Sequence, residues 1–232
     1  MPKHVGDARV VRTRRGARLE QDGLVLSEVL GRPGPTHTLF DVLAATIAAL
    51  APGPRAAVLG FAAGGIIAPL RAMGFGHPID AVDLSLAGEQ VFRVLSDGWC
   101  GTVRVSEQDA LRWLRRKKRP YDLILEDLSA DDGAGVTKPR VSLDALPDAM
   151  RAHLTPSGIA VTNVLPVPGR PWRRLLPELA APHRSACVVL FDDWENRLLI
   201  CGDALPGARS IGAALRRYLR AVGSAEADQF VV

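Results

Sequence analysis

From Ala56 onward, short apolar runs alternate with segments of helical spacing, and few folds accommodate that rhythm. Ala56 to Leu59 has the length and character of a buried strand, and Ile66 to Met73 continues as a helix. The pattern recurs as Ile79 to Val82 with Leu86 to Leu95, then Val103 to Ser106 with Ala110 to Arg116. It recurs again as Tyr121 to Leu125 with Ser142 to Leu154, and as Ile159 to Val164 with Pro171 to Leu179. A strand that returns through a helix pairs parallel to its predecessor. Repeated βα units therefore predict a parallel sheet with helices on both faces.

Both ends break the rhythm. Ala186 to Phe191 and Arg197 to Cys201 flank the polar stretch Asp192 to Asn196 and read as a hairpin, followed by an amphipathic helix over Ile211 to Val222. At the other end, Val10 to Arg14, Ala17 to Glu20 and Leu24 to Glu28 read as a small β-meander. Arg15-Gly16 and Gln21-Asp22-Gly23 separate its strands, and the Asp-Gly step is a hairpin signal. A helix over Leu39 to Leu50 follows, with Phe40, Leu43, Ile47 and Leu50 on one face, and Pro52-Gly53-Pro54 ends it. The expected organisation is a meander over 1–35 and an α/β, Rossmann-like domain over 36–232. Five βα units closed by an antiparallel hairpin are the layout of the class I methyltransferase fold, with a mostly parallel seven-stranded sheet.

The chain has 232 residues, 47% of them hydrophobic, which suffices for one well-buried core. Its three cysteines show no Cys-x-x-Cys spacing and its five histidines are scattered, so neither a disulfide framework nor a metal site is expected, and a reducing, cytoplasmic setting fits. Cys187 and Cys201 read as buried thiols that can face each other across the hairpin. Met1 to Arg15 is basic without an apolar core, and no run approaches the length of a membrane span, so neither a signal peptide nor a membrane partner is expected. The net charge of +4 permits weak attraction to polyanions, but no nucleic-acid partner is expected from it. The run Arg115 to Arg119 sits at a helix C-terminus, where cations favour the helix dipole, and reads as a solvated helix end.

The chemistry-bearing feature is Gly60-Phe61-Ala62-Ala63-Gly64-Gly65, where a strand opens into a helix. Glycines there let backbone N–H groups approach a ligand, although they also permit tight strand-to-helix packing. Asp83 ends the next strand, about 20 residues on, where a carboxylate can accept from ribose hydroxyls; Leu84 follows it. Asp109, followed by Ala110, lies just past the third strand, where it can accept from an adenine amino group. Both aspartates also read as helix N-caps. The three features fall at the carboxyl ends of three successive strands, where such sheets bind ligands.

From about Gly16 to Gly202 the chain resembles the spermidine synthase (polyamine aminopropyltransferase) family. Gly16 to Ser27 looks like that family's N-terminal meander, and Val58 to Gly65 is similar to its Gly-Gly-Gly-Asp-Gly-Gly turn. Ala81-Val82-Asp83 stands where the family has its ribose-binding acid. Glu107 to Leu114 looks like its Gly-Asp-Gly adenine loop, Tyr121 to Asp127 like the strand that delivers its catalytic aspartate, and Leu154 to Thr162 like its Leu-Lys-Pro-Gly-Gly strand.

The resemblance implies an S-adenosylmethionine or decarboxylated S-adenosylmethionine donor, an amine acceptor, no metal, and a homodimer. Gly60, Ala62, Ala63, Gly64 and Gly65 would approach the donor, with Asp83 at its ribose, Asp109 at its adenine, and Leu84 and Ala110 completing the cofactor-binding set. Asp127 would take the proton of the attacking amine. Asp131 and Asp132 follow on the same loop. The chain departs from the family where the turn's aspartate, which holds the donor's amine, is replaced by Ala63. The loop after Asp127 lacks the family's proline and its second acid is displaced by one residue. The Tyr-His-Glu at the start of the first helix is missing, with Thr36-His37-Thr38 or Leu39-Phe40-Asp41 nearest to it. An apolar Ala63 would also tolerate ordinary S-adenosylmethionine, so a methyltransferase on a small or peptide substrate and a lapsed binding or dimerisation module are the alternatives. Trp194, in the hairpin, reads as packing or as an acceptor-pocket wall. His37 and His153 have no partner nearby in sequence.

Overall fold

A computed structural model describes residues 9–21, 24–131 and 136–232. The meander forms as β1 (Arg9–Thr13), β2 (Gly16–Gln21) and β3 (Leu24–Leu30), an antiparallel sheet of its own. The expected Asp22-Gly23 turn lies outside the described residues. Helix α1 (Leu39–Leu50) and strand β4 (Ala56–Leu59) fall on the expected boundaries, with Thr38 capping α1. The chain continues through α2 (Ile67–Ala72), β5 (Ile79–Asp83), α3 (Ala87–Ser96), β6 (Val103–Glu107), α4 (Ala110–Arg115) and β7 (Tyr121–Glu126).

Past β7 the structure departs from the expected single helix over Ser142 to Leu154. A short ribbon comes first, β8 (Ala130–Asp131) against β9 (Val136–Thr137). Two helices follow, α5 (Arg140–Asp144) and α6 (Leu146–Ala152). Pro147, in the first turn of α6, has no N–H to donate and suits a helix start, so the apolar period is interrupted there. Leu154 belongs to β10 (Leu154–Val164), whose register against β7 shifts between Leu154 and Ile159. Then come α7 (Trp172–Ala180), β11 (Ser185–Phe191), β12 (Arg197–Gly202), α8 (Ala208–Ala221), a 3-10 turn at Ala225–Asp228, and β13 (Phe230–Val231).

The main sheet runs β13-β11-β12-β10-β7-β4-β5-β6. Strands β10, β7, β4, β5 and β6 pair in parallel, and β12 and β11 close the sheet antiparallel. The eighth strand was not expected. β13 adds itself to β11 by pairing Phe230 with Phe191, and its Phe230 ring is buried. One apolar layer joins the sheet to α1, α2 and α8 through Leu43, Ile47, Ile67, Leu70, Ile211 and Leu215. The other joins it to α4, α6 and α7 through Trp113, Leu114, Met150, Leu175 and Leu179. The hairpin register sets Cys187 opposite Ile200 and Cys201 opposite Ala186, so the two thiols do not face each other. Cys201 is buried, and that burial pushes its thiol up to about 12. Among the described residues no helix is long and apolar enough to cross a membrane.

Candidate functional site

The chain reverses between β4 and α2 by leaving ordinary backbone space three times, at Gly60, Ala62 and Gly64, the last with φ +72. Gly60 has φ +91, and a Cβ added there would sit 2.6 Å from the carbonyl oxygen of Asp127. Ala62 has φ +46, a left-handed conformation that costs a residue with a Cβ. Three neighbours hold the turn in that shape. Asp83 Oδ2 accepts from the N–H of Phe61 at 2.8 Å and of Ala62 at 2.7 Å. Ser27 Oγ, from β3 of the meander, accepts from the N–H of Gly65 at 2.9 Å. Gly88, in α3, lets that helix close on the Ala62 carbonyl, because a Cβ there would run into it. Gly64 donates to Phe61 O at 2.7 Å, and the Phe61 ring meets the Phe92 ring edge-on.

Asp83 thus carries a structural duty in addition to any ligand. A carboxylate offers about four lone-pair positions. Oδ2 serves two loop amides, while Oδ1 has one long contact, from Ser85 N at 3.3 Å. Acceptor capacity remains on Oδ1. Leu84 beside it is 70% exposed. Asp109 caps α4, accepting from Arg112 N at 2.8 Å through Oδ1, and is exposed. Ala110 is buried behind it. Ala63 is fully buried, and its methyl group belongs to the core beneath the turn.

Asp127 comes off the end of β7 and meets the turn: its N–H donates to Leu59 O at 2.8 Å, and its own carbonyl abuts Gly60. Asn163, on β10, donates to Asp127 Oδ1 at 2.7 Å. Asn196, where the β11–β12 hairpin enters β12, donates in turn to Asn163 Oδ1 at 2.9 Å. Burial raises the Asp127 carboxyl to about 6; the Asn163 hydrogen bond and Lys138 pull it down, and Glu126 and Asp83 push it up. The glycine turn, Asp83 and Asp127 therefore converge, and Asp109 stands one strand further out. Asp131 lies in β8, and Asp132 lies outside the described residues.

Four contributors were not among the expected residues. Asn163 and Asn196 hold Asp127. Glu126 and Lys138 form a buried ion pair just behind it, 2.8 Å apart, with Ser142 Oγ and Leu128 N on the same Glu126 oxygen. A lysine that follows an aspartate loop and precedes a helix carries no motif, but an acid closing an apolar strand, as Glu126 does, is a visible signal for a buried pair. Trp194 is 38% exposed, and its Nε1 lies 3.4 Å from Glu226 Oε2. His37 Nδ1 accepts from Ala225 N at 3.3 Å, and His153 Nδ1 bonds Ala149 O at 2.8 Å.

No protein-family model matches the chain, and no curated protein matches it. Solved structures do. Spermidine synthase in complex with the transition state analogue AdoDATO superposes with a TM-score of 0.67 at 12% identity, over 94% of this chain and 80% of that one. Human methyltransferase-like protein 13 in complex with SAH gives 0.60 at 20% identity, over 78% and 90%. A SAM-dependent methyltransferase from Agrobacterium tumefaciens gives 0.57 at 16%, over 88% and 72%. The fold is that of the class I methyltransferases. Identities this low establish the architecture and leave the reaction to the site.

Proposed function

We propose that the chain is a transferase that binds an S-adenosylmethionine-type nucleoside at the Gly60 turn and passes an aminopropyl group to an amine acceptor. The observation that carries this reading is the contact of Asp127 with the glycine turn, with its carboxyl held by Asn163. Asp83 Oδ1 would accept from the ribose, Leu84 would cover the base, and the free oxygen of Asp109 would meet the adenine amino group. The donor's sulfonium makes its neighbouring carbon electrophilic. The amine nitrogen forms a bond to that carbon as the carbon–sulfur bond breaks, and the electron pair leaves on sulfur as a thioether. The nitrogen is then a charged ammonium, and Asp127 takes its proton. A carboxyl raised to about 6 is ionised at neutral pH and still basic enough for that duty.

Methyl transfer is the second reading, and Ala63 favours it. With a core-facing methyl group there, the turn presents no acid to hold the primary amine of a decarboxylated donor. Calorimetry with S-adenosylmethionine, its decarboxylated form and methylthioadenosine separates the two. Tighter binding of the decarboxylated form supports aminopropyl transfer, and tighter binding of the ordinary form supports methylation. If a folded sample binds none of the three, the transferase reading falls.

A further inference from the structure

The hydrogen bonds around Asp127 continue outward in one direction. Asp127 Oδ1 accepts from Asn163 Nδ2 at 2.7 Å, and Asn163 Oδ1 accepts from Asn196 Nδ2 at 2.9 Å. An ionised carboxylate only accepts, so Asn163 must turn its NH2 toward Asp127. Its carbonyl must then face Asn196, and Asn196 must present its own NH2. The orientation of both amides follows from the charge on Asp127. Asn163 is 6% exposed, where an unsatisfied amide is costly, so the chain of contacts is not free to rearrange. Asn196 also walls a recess of about 310 Å³ with Pro166, Trp172, Trp194 and Arg197.

We infer that Asn163 and Asn196 are positioning residues, a two-amide relay that aims the Asp127 carboxylate, keeps it ionised, and ties it to the β11–β12 hairpin. The inference deepens the transferase reading and rests on it for the duty of Asp127, but the relay itself is a property of the folded chain. The charged groups facing Asp127 are Glu126 on its own strand, Asp83 at the end of β5, and Lys138 past the ribbon. None of them approaches through the hairpin. A change at Asn196 therefore reaches Asp127 through Asn163.

The test is the carboxyl titration of Asp127, followed by NMR on protein labelled with 13C-aspartate and assigned by the resonance that Asp127→Asn removes. The unmodified protein should titrate near 6, where burial places the Asp127 carboxyl. In Asn163→Ala, which removes the donor, the midpoint rises by on the order of one pH unit. In Asn196→Ala, at the half-buried outer end of the relay, it rises by less, and Asn163→Gln, which retains an amide, brings it back toward the starting value. A purely structural role would lower thermal stability without moving the midpoint. Midpoints unchanged in both alanine variants overturn the relay, and Asn196→Ala alone decides the outer link if Asn163→Ala does not fold. Midpoints that move in a protein that binds none of the three nucleosides retain the relay and remove the transferase reading instead.

Discussion

Lys138 Nζ lies 2.8 Å from Glu126 Oε1, and each of the two side chains is 1% exposed. Lys138 also donates to Leu128 O at 2.6 Å, so one ammonium closes the loop that leaves β7 back onto the end of that strand. The pair packs directly behind Asp127, one residue along.

Breaking that pair leaves an uncompensated buried charge. Lys138→Met should destabilise the chain by about 3 kcal/mol, because Glu126 then has no cation in a dry site. The double variant Lys138→Met with Glu126→Gln should recover more than half of that loss. Denaturant unfolding of both variants checks this. A single variant as stable as the parent would mean that the pair does not hold the loop.

A substitution at Asp83 separates its hold on the turn from the ribose contact proposed for it. Asp83→Asn keeps an acceptor oxygen for the Phe61 and Ala62 amides but replaces the other oxygen with a donor. Its stability should stay near that of the parent, while nucleoside affinity falls by roughly 10- to 100-fold, the loss of one or two hydrogen bonds to a charged group. Asp83→Ala orphans two loop N–H groups and should lose about 1–3 kcal/mol of stability as well. Calorimetry and thermal melts on the two variants together give the test. Equal nucleoside affinity in Asp83→Asn would remove the ribose assignment.

Much of the fold was legible because α1 and β4 are defined by their own residues. Apolar spacing marks one helix face in Leu39–Leu50, and an unbroken apolar run marks a strand buried on both sides in Ala56–Leu59. The break between α5 and α6 was not legible, because Pro147 and the strand residue Leu154 continue an apolar pattern that suits one helix. The glycine turn and Asp83 could be read because their spacing follows from one strand–helix–strand unit. Asn163 and Asn196 could not. They lie 33 residues apart, Asn163 on β10 and Asn196 just before its antiparallel partner β12, and an amide has no spacing signature. Ala63 was visible as a missing acid, but only the packing shows that its methyl group faces the core.

That packing sets the outcome of an obvious repair. Restoring the aspartate by Ala63→Asp would place a carboxylate at a position with 0% exposure among apolar side chains. The variant should lose on the order of 3 kcal/mol of stability and gain no preference for the decarboxylated donor. Unfolding and competitive nucleoside binding measure both effects. A stable variant that switches preference toward the decarboxylated donor would show that the turn opens toward the ligand in solution.

As the proposed base, Asp127 would give up stability for its duty. Its carboxyl is raised from 3.8 to about 6, chiefly by burial. Between those values the folded chain holds a proton that the unfolded chain has released. Its contribution to stability is therefore fully present below about pH 4 and is lost as pH rises through about 6. At pH 7.5 the ionised group costs on the order of 3 kcal/mol, the rise from 3.8 to about 6 taken at about 1.4 kcal/mol per pH unit. Asp127→Asn keeps the shape and the Asn163 contact but carries no charge. It should melt higher than the parent at pH 7.5 and alike at pH 4, while transfer falls by roughly 100-fold or more for loss of the base. Melting curves across that pH range, set beside initial rates at pH 7.5, read both effects. A stability difference that stays constant from pH 4 to 7.5 would place its cause outside the Asp127 charge, and transfer at the parent rate would give the proton to another group.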